Sequence, residues 1–63
     1  MRFSIVRIKD GPWIVVDRRD HRRRIASCVE EGAAEMIAAL MNGDFDHAIA
    51  GREAAIAGLD RHA

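Results

Sequence analysis

Five arginines and one histidine crowd positions 18–24 of this 63-residue chain, in the run Asp17-Arg18-Arg19-Asp20-His21-Arg22-Arg23-Arg24. Guanidinium groups are planar donor forks that suit carboxylates and phosphates, so the run reads as a hook for an acidic surface or a nucleic-acid backbone. The plainer alternative is the wet end of a hairpin, with Asp17 and Asp20 partly neutralising the cations in place. No stacking aromatic sits inside the run and the chain has no tyrosine, so the aromatic platform that holds single strands is missing. Nor does the rest of the chain carry a basic recognition helix. The preferred partner is therefore a protein with an acidic surface, met by Arg18, Arg19, Arg22, Arg23 and Arg24. Nucleic acid gripped through residues 18–24 is the alternative.

Other reactive side chains are sparse. His47 stands beside Asp44 and Asp46, but a metal needs three or four converging ligands and neither His-x-x-x-His nor Cys-x-x-Cys occurs, so helix capping accounts for the aspartates. His21 and His62 fall in a loop and at the terminus. Cys28 is the only cysteine and lacks an evident base to activate it; on a strand it reads as a small buried apolar residue. Ser27 reads as a helix cap. So small a core leaves little room for a ligand pocket of about 300 Å³. Neither catalysis nor a metal or other cofactor is expected. Trp13 fits the core or, alternatively, an interface anchor beside the arginines.

Size and charge set the frame. A chain this short is a single domain, residues 1–63, with a thin core, and eleven of its apolar residues are alanines. The larger apolar side chains suffice for one thin core or for one completed by a second copy. A lone cysteine excludes a disulfide framework, and the N-terminal residues lack the apolar block of a signal peptide. No stretch is apolar enough to span a bilayer. A cytoplasmic protein with no membrane association is expected. Residues 1–28 hold eight basic and three acidic side chains, residues 29–63 two and seven, so opposite charges of five sit on the two halves. That asymmetry favours charged partners, or a homodimer pairing the basic loop of one copy with the acidic helices of the other.

The elements follow from pattern. Phe3 to Lys9 is rich in strand formers and stops at Asp10-Gly11-Pro12, where Gly11 is expected to supply an unusual backbone angle. Trp13 to Asp17 is a continuous apolar run suited to a central strand, and Arg24 to Val29 a weaker third strand. Helical spacing then begins: Ala33, Ala34, Ile37, Leu40 and Met41 form one apolar face, with a Ser27/Glu30 capping box at its start and Asn42-Gly43 as its stop. Asp44 or Asp46 caps a second helix, along which Phe45, Ile49, Arg52, Ile56 and Leu59 make a narrow stripe. Gly51 and Gly58 are costly inside a helix unless their face meets another backbone closely. The fold class is α+β: a three-stranded antiparallel β-meander followed by two α-helices packed on one face. Because helices cover only one side of the sheet, the other is expected to leave apolar surface uncovered.

The sequence Trp-Ile-Val-Val-Asp at 13–17, a polar turn, Arg-Ile-Ala at 24–26 and the acidic, alanine-rich helix through Ala33–Gly43 resemble the small uncharacterised β-meander and helix proteins of phages, prophages and other mobile elements. The likeness spans residues 3–43 and departs from the pattern in its arginine-dense loop and second helix. It implies a small accessory protein; some proteins of that kind, anti-CRISPR proteins among them, act by occluding a host complex.

Overall fold

The computed structural model describes residues 1–62, with side chains through Leu59. Strands β1 (Phe3–Arg7), β2 (Trp13–Asp17) and β3 (Arg23–Cys28) precede helices α1 (Glu31–Asn42) and α2 (Phe45–His62). The sheet runs β1-β2-β3 with both pairings antiparallel, so the apolar Trp13–Asp17 run takes the centre as its sequence demands. The β1–β2 turn is built differently from expectation. Lys9, at φ 54°, is its left-handed residue, while Gly11 donates its N–H to the Ile8 carbonyl at 2.9 Å. A side chain on Gly11 would strike that same carbonyl, so closeness and not a left-handed angle explains the glycine.

Alternation along the strands divides the sheet into two faces. Phe3, Ile5, Trp13, Val15, Ala26 and Cys28 face α1, where the fully buried Val15 meets Ala34 and Ala38. Those alanines let the helix sit close to the sheet. Helix α1 is held between the sheet and α2, and its buried positions are Gly32, Ala34, Ala38 and Ala39. Leu40 and Met41, expected on the core face, are therefore left 47% and 42% exposed. The Ser27/Glu30 capping box does not form: Ser27 belongs to β3, and Glu30 is the N-cap with no side-chain cap hydrogen bond. The stop is as expected, with Gly43 left-handed at φ 77°.

Asp44 caps α2, its Oδ1 accepting the His47 N–H at 3.2 Å. Among the described residues α2 packs on α1 and touches no strand. Its packing face carries the buried Ala48, Gly51 and Gly58, and a Cβ on Gly51 would stand 2.6 Å from the Met36 nitrogen. Two backbones in such close approach satisfy the condition under which an interior glycine makes sense. The Phe45, Ile49, Arg52, Ile56, Leu59 stripe lies roughly 100° round the helix from that face. It does not enter the core: Phe45 and Leu59 are 66% and 63% exposed, Ile49 and Ile56 58% and 44%.

One side chain ties sheet and helix together. Asn42 Oδ1 accepts the Phe3 N–H at 3.0 Å and its Nδ2 donates to the Phe3 carbonyl at 2.8 Å, reproducing on the free edge of β1 the pair of bonds a fourth strand would make. Asn42→Ala removes both bonds, and the expected loss is about 2 kcal/mol at roughly 1 kcal/mol per bond. It is read as a lower urea midpoint with an unchanged m-value.

Candidate interaction surfaces

The basic run occupies the β2–β3 turn and the start of β3. Asp17 anchors it. The carboxylate, nearly buried at the end of β2, accepts Arg2 Nε at 3.0 Å and Nη2 at 2.9 Å, together with the Arg19 N–H at 3.0 Å. The Arg2 hydrogen bonds hold its carboxyl below the ordinary aspartate range; burial opposes this and the Arg19 N–H assists. The same contact raises the Arg2 guanidinium. Beyond Asp17 the turn closes through Asp20 N–H to Asp17 O at 3.2 Å and Arg23 N–H to Asp20 O at 2.9 Å. At its tip His21 and Arg22 are both left-handed, at φ 52° and 58°, a conformation that only glycine takes without cost.

Neutralisation within the loop is incomplete. Asp17 is taken by Arg2, from outside the run, and Asp20 pairs with Arg23 at 3.1 Å in an exposed contact. Arg18, Arg19, Arg22 and Arg24 are exposed and, among the described residues, make no ion pair. The sheet aims the last of them. The register slips between Val15 and Val16, leaving Ile25 as the extra residue of a β-bulge and setting Arg24 opposite Val16, on the face turned away from α1.

Trp13 is placed elsewhere. It lies at the opposite end of β2 from Asp17, half-buried against the core cluster on the α1 side, with the Arg7 guanidinium 5.0 Å from its ring centre. It is a core-edge residue and does not share a surface with the arginine loop. The uncovered sheet face is also less apolar than expected. Ile14 and Val16 are each only 5% exposed, and Val6 and Ile25, at 38% and 41%, supply its accessible apolar atoms.

Among the described residues the largest run of exposed apolar side chains is the α2 stripe, which the sequence presents as one narrow apolar side of the helix. The spacing of Ala48, Gly51, Ala55 and Gly58 was the available signal: small residues at three and four mark a helix's close-packing face, so bulky residues displaced from it must point elsewhere. An open groove of about 510 Å³ runs between β1 and the two helices, floored by Phe3, Ile5 and Ala38 and rimmed by Arg18, Glu35 and His47. It is roomier than so small a core suggests. His47 Nδ1 lies 2.6 Å from Asp44 Oδ2 at this rim. Asp44 is held below the ordinary aspartate range first by the His47 N–H that it caps, so capping occupies it, as expected. Among the described residues no three His, Cys, Asp or Glu side chains converge, and no helix is long and apolar enough to cross a membrane. Cys28 is half-buried and free; the side chain of His62 lies outside the described residues. No protein-family model, curated protein or solved structure matches the chain.

Proposed function

We propose that the protein is a non-enzymatic interaction module whose arginine loop docks on the acidic surface of a partner protein and occludes it. The observation that carries this reading is that Arg18, Arg19, Arg22 and Arg24 make no ion pair among the described residues, although the helical half of the chain is rich in acids. Charges left unmatched in the free protein are available to steer encounter and to make charge-assisted bonds in a complex. Two consecutive left-handed residues at the tip support it further, because a solvated turn with no other task would relax most cheaply through glycine. Ile25, next to Arg24 at the bulge, adds an apolar margin to the charged contact.

The test is capture of partners from cell extract, with and without nuclease, by the native chain and by a variant with Arg18, Arg19, Arg22 and Arg24 all changed to alanine. A nuclease-resistant partner bound at least tenfold more weakly by the variant is the expected result. Anisotropy titrations with duplex and single-stranded DNA and RNA at low salt accompany it. Nucleic-acid binding tighter than about 100 μM that disappears in the variant, with no nuclease-resistant partner, would replace this reading by a phosphate-gripping one.

A further inference from the structure

We infer that α2 pairs, antiparallel, with α2 of a second copy of this chain. The inference rests on the helix stripe and not on the arginine loop, so it stands or falls separately from the proposed function. Phe45, Ile49, Arg52, Ile56 and Leu59 follow one another at spacings of four, three, four and three. That is the seam spacing by which one helix packs along another, with β-branched isoleucines at one of its two positions and Phe45, Arg52 and Leu59 at the other. The four apolar members are 44–66% exposed and touch no other element strongly enough to be covered. They leave on the order of 400 Å² of apolar surface, in the range where a patch on a lone domain marks an interface.

Charge identifies the occupant. The stripe is interrupted by one cation, Arg52, and bordered along one flank by Asp46 and Glu53, all exposed. Two such helices run antiparallel with Phe45 of one beside Ile56 of the other and Ile49 beside Arg52, each contact occurring twice by symmetry. In that register the Arg52 stem covers the second copy's Ile49, and its guanidinium comes within one turn of the second copy's Asp46. The seam thus sets an acid of each copy against the arginine of the other, and the two arginines also offset the acidic flanks, Asp46 and Glu53, that this register brings to the same side. The Gly/Ala face of α2 stays on α1, so the assembly is a central layer of helices with a sheet on either side. The arginine loops are left free. Apolar area of this size is roughly half of what each partner buries in a standard interface, so dissociation in the micromolar range is expected.

Sedimentation equilibrium from about 1 to 500 μM tests it. The native chain is expected to show a monomer–dimer equilibrium, and Ile49→Glu to abolish it. Arg52→Asp sets two acids against each other in every homodimer, and Asp46→Arg sets two cations; each weakens self-association by about tenfold, or 1.4 kcal/mol. Mixing these two variants restores dimers at native strength, because each supplies what the other lacks. Asp44 and not Asp46 caps α2, and circular dichroism of each variant checks that it is folded. A native chain that stays monomeric at 500 μM overturns the inference. So does a mixture that fails to associate, which would assign the stripe to a partner of another kind.

Discussion

Gly51→Ala is expected to lower the stability of this domain by about 2 kcal/mol, although the same change inside an ordinary helix raises it by about 1 kcal/mol. The added methyl would stand 2.6 Å from the Met36 nitrogen and 2.8 Å from the Gly32 carbonyl oxygen. Both obstacles are backbone and cannot rotate away. The helices must move apart, and separating them opens the small-residue contact through which α2 is held. Overpacking of this kind costs about 1–3 kcal/mol at sites that can adjust, and a backbone-to-backbone site adjusts least. Gly32→Ala meets the matching obstacle, the Gly51 carbonyl oxygen at 2.6 Å, and behaves the same way. Gly58→Ala is the control. There the nearest atoms are those of the Glu30 carboxylate, on a side chain and not on backbone, so the change is expected to cost less than at Gly51. Urea unfolding followed by circular dichroism separates the three. A Gly51→Ala protein more stable than its parent would mean that α1 and α2 do not approach this closely. For a domain whose total stability is on the order of 5 kcal/mol, a loss of 2 is large.

The glycines also show where sequence reasoning reached and where it stopped. Strand order, the central place of Trp13–Asp17, the Asn42-Gly43 stop and an aspartate cap at 44 or 46, which the structure places at Asp44, were legible because each is a local signal: β-branched runs, a left-handed residue, an oxygen one turn before its N–H. Gly51 could be read as requiring a close neighbour. What could not be read was its consequence for the rest of α2. A hydrophobic stripe identifies a buried face only if burial is what fixes the helix's rotation, and here contact between small residues fixes it instead. The same cause displaced Leu40 and Met41. At the candidate site, the density of cations was visible, but the division of acids was not. Asp17 looked like a counter-ion for the loop, whereas Arg2, fifteen residues earlier, takes it through two bonds. Likewise Trp13 and the arginines are neighbours in sequence and lie at opposite ends of a strand.

Asp17→Asn is expected to lower the melting temperature by roughly 5–10 °C at pH 7, a large effect for a domain this size. The amide keeps the shape of the carboxylate and still accepts the Arg19 N–H. It cannot accept both Arg2 donors, because its own NH₂ then faces the guanidinium. The pH dependence identifies the cause. Since the folded carboxyl titrates below its ordinary value, the folded state favours the ionised form. Its contribution is therefore fully present above the ordinary aspartate range of about 3.9 and is lost as pH falls through the folded value. The gap between native and variant melting temperatures should be constant near pH 6 and narrow progressively below about pH 4. Asp44, also held below its ordinary range, loses its contribution in the same direction. Both proteins retain it, so it cancels in the difference. A gap that persists unchanged to pH 2.5 would assign the loss to packing and not to the Arg2 contact. Because Asp17 also holds the Arg19 N–H, the contact that stabilises the sheet is the one that sets the base of the arginine loop. Acid that releases Arg2 should therefore loosen the loop before the helices separate, visible as faster amide exchange at Arg18 and Arg19 than at Ala38 and Ala39.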